Sequence, residues 1–199
     1  MTTDIPRPRG RPRRFDPDEA VATAQSLFHA RGYDAVSVAD LTAALGINPP
    51  SFYAAFGSKA GLYARVVERY GAAGTVFLEK VLSPDRPVAD ALAALLEAAA
   101  RFYSADPVAP GCLVIEGVRC NDAQARETAC TASGTSQDAI HAFVASQFPD
   151  DAARITDYVG TIMAGLSAMA RAGHGPDRLL ATARLAGTAL ALALRNTRA

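Results

Sequence analysis

Between Asp16 and Gly57 the chain signals a helix start and a helix stop three times, and this spacing constrains the fold more than any bulk property. Asp16-Pro17-Asp18-Glu19 opens the first helix: Asp16 can cap it, Pro17 takes the first position where its missing N–H costs nothing, and Glu19 can close a capping box. Val21, Ala24, Leu27 and Phe28 form an apolar stripe, and Gly32 ends it. Ser37-Val38-Ala39-Asp40 is a second capping box, followed by Val38, Leu41 and Leu45 on one side and a stop at Gly46. Asn48 caps a third short helix that begins at Pro49, holds Ser51-Phe52-Tyr53-Ala54-Ala55-Phe56 and halts at Gly57. Ser58 starts a fourth, longer one, with Leu62, Val66, Tyr70, Ala73 and Phe77 at helical spacing up to Ser83-Pro84.

Four or five more helices are expected, placed at 88–105, 111–119, 122–148, 152–172 and 177–195, with breaks at Pro87, Pro107, Pro110, Pro149 and Pro176. Half of the residues are hydrophobic, Trp is absent and Ala is abundant, which suits close-packed helices better than sheets. The expected fold is all-α, a small N-terminal unit followed by a larger bundle.

The net charge is zero, yet Arg7, Arg9, Arg11, Arg13 and Arg14 crowd a Pro-rich start opposed only by Asp4. Residues 1–15 therefore read as a basic arm, disordered when unbound. That start lacks the apolar stretch of a secretory signal. The longest apolar run, Leu185 to Leu194, is bounded by Arg184 and Arg195 and is too short to cross a bilayer. Cys112, Cys120 and Cys130 suit a reducing compartment and form no disulfide framework. His29, His141 and His174 are scattered, so no metal set is expected. These features place the chain as soluble and cytoplasmic.

Two short helices joined by a tight glycine turn describe a helix-turn-helix. Its surroundings are distinctive: a basic Gly-Pro arm, Ala30-Arg31-Gly32-Tyr33, Ser37-Val38-Ala39-Asp40-Leu41, the Gly46-Ile47-Asn48 turn, Ser51 to Phe56, then Gly57-Ser58-Lys59 and Leu62. In order and spacing, the stretch from Arg11 to Tyr70 resembles the TetR family of transcriptional regulators. The resemblance implies a three-helix DNA-binding domain at 16–60, carrying the helix-turn-helix, and a helical effector-binding and dimerisation domain at 61–199. It implies palindromic double-stranded operator DNA, a small-molecule effector and a second copy of the chain as partners, with no cofactor and no membrane. Repression is the family default, with activation as the alternative.

Phe52 and Phe56 lie four apart and are expected to face inward with Leu41 and Leu45. Tyr53 falls on the opposite face, where the family resemblance implies a phosphate contact; the alternative is a Tyr packed at the rim of the small core. Lys59 adds charge at a helix start that already favours phosphate. Ser37 and Thr42 are further phosphate candidates, although capping alone explains Ser37. Where many family members carry large aromatic or His side chains this chain has Ala54 and Ala55, which can pack on thymine methyls but make no bidentate hydrogen bonds. Base reading therefore shifts to Asn48, Pro49, Pro50 and Ser51. Arg9-Gly10-Arg11-Pro12-Arg13 looks like an AT-hook core for an A·T-rich minor groove, or else a general electrostatic tether.

In the bundle, Phe102, Tyr103, Cys112 and Ile115 are candidate effector contacts, as are Phe143, Tyr158, Met163 and Met169, with Glu116 as a polar anchor. Their composition points to a mostly apolar ligand, and ordinary core packing is the competing account of each. Cys112 is either a redox or electrophile sensor or a small buried thiol. Ile155, Val159, Ile162 and Leu166 on one helix, with Leu179, Ala183, Ala186, Leu190 and Leu194 on the last, are the expected dimer surface. An enzyme is the main competing class, but no phosphate loop, dinucleotide fingerprint or metal spacing is present to support one. A purely structural helical bundle is the third.

Overall fold

The structure is a computed structural model, and it describes residues 16–196. The arm with Arg9, Arg11 and Arg13 lies outside the described residues. Among those described the fold is all-α: α1 (Pro17–Arg31), α2 (Val38–Leu45), α3 (Pro49–Phe56), α4 (Lys59–Val81), α5 (Val88–Tyr103), α6 (Leu113–Gly117), α7 (Ala123–Ala145), α8 (Ala152–Arg171) and α9 (Pro176–Asn196), with one 3-10 turn at Pro149–Asp151. The cap residues act as the sequence suggests. Asp16 accepts from the Asp18 N–H, Ser37 and Asp40 form a reciprocal box, Asn48 accepts from Ser51, and Ser58 accepts from Gly61. Asp122, accepting from the Ala125 N–H, begins α7. Gly46 ends α2 in the left-handed region at φ 66°, which a side chain would disfavour.

Two cores result. The head core gathers Phe28, Tyr33, Leu41, Phe52 and Phe56 with Leu62, Tyr63, Val66 and Val67 of α4, and extends to Leu113, Val114 and Ala129. The body core centres on Leu92, Leu95, Leu96, Ile155, Leu166, Leu179 and Leu190. Each such fully buried Leu contributes about 2 kcal/mol of burial. The head core therefore runs past residue 60, and the expected 16–60 boundary falls inside α4. That single rod belongs to both cores, since Leu78, Val81 and Leu82 at its other end pack on the body.

The most extensive helix pairing joins α5 to α9. Gly187 permits it: a Cβ there would lie 2.9 Å from that of Ala93. This pairing overturns part of the expected dimer surface. Ile155, Val159 and Leu166 of α8 and Leu179, Ala183, Ala186, Leu190 and Leu194 of α9 are buried within the chain's own core, and Ile162 is half-buried against it. An amphipathic helix shows its strongest apolar stripe to whatever buries it most, and here that is its own chain. The outward stripe is different: Leu185 is 72% exposed and Leu192 55%, with Ala181 and Ala189 exposed on the same face of α9; on α8, Ala164 and Gly165 are exposed.

Head and body are tied at Gly111. Its φ of 82° and a would-be Cβ 2.9 Å from Ser167 Oγ admit only glycine, which is why α6 starts later than its apolar run suggests. The Gly111 carbonyl pairs with His29 Nε2 at 3.1 Å, and the next N–H, of Cys112, donates to Ser167 Oγ at 2.9 Å. Arg171 donates to the His29 carbonyl at 2.9 Å. Tyr33 donates to Asp122 at 3.0 Å, while Asn121 donates to Asp34 from its backbone and its amide.

Candidate nucleic-acid interface

The two faces of α3 are sharply divided. Phe52 and Phe56 are buried in the head core with their rings 5.5 Å apart, locking α3 onto α2 and α4. The opposite face presents Pro49, Pro50, Ser51, Tyr53 and Ala54 to solvent, and Tyr53, its ring edge-on to Phe52, is 51% exposed. Its hydroxyl is thus free of the core, whereas rim packing would have hidden it.

The start of α3 is stripped of free backbone donors. Pro49 and Pro50 have no N–H. The Ser51 N–H donates to Asn48 Oδ1 at 2.9 Å, and the Phe52 N–H to the Asn48 carbonyl at 3.1 Å. Helix N-termini ordinarily offer such groups to phosphate; this one offers proline rings, a methyl and the hydroxyls of Ser51 and Tyr53.

Three expected phosphate contacts are used elsewhere. Thr42 is buried and donates to the Ala39 carbonyl at 3.1 Å. Ser37 donates to Asp40 Oδ2 and accepts from the Asp40 N–H, completing the box. With Arg31 also on Asp40 at 3.1 Å, these bonds, those from Ser37 foremost, hold that carboxyl well below the usual range. Lys59 donates to the carbonyls of Tyr33 (2.9 Å) and Val36 (2.8 Å) and lies over the Tyr33 ring, 3.9 Å from its centroid. It fastens the α1–α2 link to α4. No local pattern announces partners 23 and 26 residues upstream. Arg65 went unnoticed for a similar reason: exposed on α4, it sits over the Phe56 ring at 5.3 Å, a cation placed beside α3.

In the bundle, the nine effector candidates differ in their placement. Phe102 (56% exposed) and Met169 (46%) point to solvent. Tyr103 is buried, and Cys112, Ile115, Tyr158 and Met163 are partly buried against the body core. Glu116 is paired with Arg119 at 2.9 Å and Arg171 at 3.5 Å, so it is no free anchor. Phe143 borders a cavity in the body, about 340 Å³, between α4 and α7. Its other walls were missed because Thr75, Glu79, Thr135 and Ser136 read as a solvated face. A second cavity, of about 270 Å³, lies where α1, α4 and α6 meet, with Tyr33, Tyr63 and Glu116 in its wall.

A buried aromatic anchor, a tight turn and an exposed short helix on a closed head define a helix-turn-helix DNA-binding protein. The family described as bacterial regulatory proteins, tetR family, matches residues 20–66. The chain is 48% identical to the HTH-type transcriptional repressor BdcR of Escherichia coli (strain K12), over 91% of this chain and 92% of that protein. It is 30% identical to the repressor ComR of the same organism, over 96% and 97%. Among solved structures, a cysteine-substituted TetR-family regulator CifR, complexed with 26-base-pair operator DNA, aligns at a TM-score of 0.78 and 30% identity, covering 90% of this chain and 99% of that one. The chain belongs to the TetR family of DNA-binding transcriptional regulators, and is not an enzyme. Among the described residues no helix is long and apolar enough to cross a membrane.

Proposed function

We propose that the chain is a homodimeric, cytoplasmic repressor that holds a palindromic operator through α3 and is released by a small molecule bound in its helical body. The observation that carries this reading is the divided α3, anchored by Phe52 and Phe56 and fully open at Pro49, Pro50, Ser51, Tyr53 and Ala54. Tyr53 and Arg65 take phosphates, while Asn48 and Ser51 supply the polar base contacts. The prolines and Ala54 suit thymine methyls, the one base-edge group that an apolar surface recognises. The arm arginines add the adjacent minor groove. Leu185 and Leu192 with the small residues of α8 form the two-fold contact. That contact sets the heads to successive major grooves, about 34–36 Å apart. A gel-shift with the DNA flanking its own gene tests this. A salt-sensitive, sequence-preferring complex is expected, weakened about fivefold by Tyr53→Phe, the equivalent of one hydrogen bond; failure to bind any DNA sinks the reading.

A second reading concerns Cys112. The thiol lies beside the hydroxyls of Tyr70 and Tyr103, both kept protonated by burial first and by the neighbouring thiol next. An electrophile reaching Cys112 would wedge α6 away from α5. Release of operator by N-ethylmaleimide in the wild type but not in Cys112→Ser supports this route; equal release in both removes it.

A further inference from the structure

The cavity between α4 and α7 has an asymmetry that bears on what it can hold. Leu78, Leu82 and Phe143, all packed against the body core, give it an apolar floor. Its hydroxyl groups come from Thr75, Thr135 and Ser136, and each donates its hydrogen to its own helix. Thr75 donates to the Gly71 carbonyl at 3.1 Å, Thr135 to that of Thr131 at 3.1 Å, and Ser136 to that of Ala132 at 3.4 Å. A hydroxyl so engaged has only lone pairs left to offer. The remaining polar wall is the Glu79 carboxylate, acceptor-only when ionised, and no ion pair holds it among the described residues. No Lys, Arg or His lines the space. Its volume of about 340 Å³ falls at the small end of ligand sites.

We infer that this cavity takes an apolar, aromatic-sized molecule bearing a hydrogen-bond donor, and takes it best as an organic ammonium. The ring fills the Leu78–Leu82–Phe143 floor, and the donor meets the hydroxyl lone pairs and Glu79. A carboxylate of the same shape is rejected, because it adds like charge to Glu79 and leaves acceptors facing acceptors. The inference rests on the effector reading above and narrows it from a mostly apolar ligand to a cationic amphiphile. The site is well placed to act on DNA: α4 forms one wall, and the same helix carries Leu62, Tyr63, Val66 and Val67 into the head core.

Three probes of matched shape decide the matter with the full chain: phenylbutylamine, phenylbutanol and phenylbutyrate. Calorimetric or thermal-shift titration should show the amine binding about three- to tenfold tighter than the alcohol, and the butyrate least, as one charge-assisted bond at a partly exposed site implies. Glu79→Gln, at an exposed position, should weaken the amine far more than the alcohol and so erase the advantage of the amine. Butyrate binding as tight as the amine, an amine preference that survives Glu79→Gln, or no binding of any probe overturns the inference. Operator release is read in the same samples. An amine that binds with the Glu79 dependence but releases no DNA upholds the site and overturns the effector reading instead.

Discussion

Head and body are both helical, yet they are held by different means. In the head, the two eight-residue helices are set by local chemistry, with caps at Ser37 and Asn48 and glycine stops at Gly46 and Gly57. Helices that short are marginal alone, so α2 depends on buried Leu41 and α3 on buried Phe52 and Phe56. In the body, helices of 16 to 23 residues lean less on caps: α7 opens on Asp122, but α5 starts with no side-chain cap and packs through a long apolar face. The head is therefore brittle and specified, the body redundant. A regulator gains from that division, because a rigid reading head can be steered by a body whose packing tolerates a guest.

The comparison breaks most visibly at Phe52. Phe52→Ala should destabilise the head by about 3–5 kcal/mol, since the hole cannot be filled by a helix of two turns. Calorimetry should then show two transitions, the head melting early and the body little changed, with DNA binding lost. A single transition lowered as a whole would mean that the cores, joined through α4, melt together. Next in size is the pair of faces on α9. Leu185→Asp with Leu192→Asp should yield a helical monomer by light scattering, with operator affinity lost. Leu190→Asp, two residues before Leu192 but in the buried stripe, should unfold the body.

Lys59 gives a finer contrast between scaffold and DNA contact. Lys59→Met should lower stability by about 2 kcal/mol, as two bonds from a charged donor to backbone carbonyls are lost. It should leave the slope of log affinity against log salt unchanged in protein that is still folded. A phosphate contact predicts the reverse: little stability change and a slope reduced by about 0.9.

These contrasts also show what the sequence made legible. Caps, prolines and glycines act within four residues, so most helix starts and stops among the described residues and the split of α3 into Phe52/Phe56 and Tyr53/Ala54 could be read directly. The apolar stripes of α8 and α9 could be read as stripes, but periodicity does not say whether own chain or partner covers them. Thr42, Ser37 and Lys59 had suitable chemistry for phosphate, yet their hydrogens are taken by Ala39, Asp40 and the distant link at Tyr33 and Val36. The α4–α7 cavity escaped because Thr and Ser on a helix look solvated until a neighbouring helix faces them. Local rules reveal elements; long-range pairing decides which side chains remain available.

The smallest effect concerns the joint itself. His29 meets the Gly111 carbonyl, the edge of the Tyr70 ring at 5.6 Å, and the charges of Arg171 and Asp106. Burial, with Arg171 adding to it, outweighs the Gly111 bond and Asp106, so its pKa lies below the ordinary 6.5. The unfolded chain therefore takes up this proton first as pH falls. The stability tied to neutral His29 is complete above 6.5 and declines below it, until the native residue also protonates. Urea unfolding from about pH 7.5 down to about pH 5 should show a gentle loss that His29→Gln flattens. Asp40 and Asp122, both held low by hydrogen bonds, lose their contributions as pH falls below the ordinary 3.8, so their loss begins at lower pH than that of His29. An unchanged slope in His29→Gln would place the pH dependence at another group.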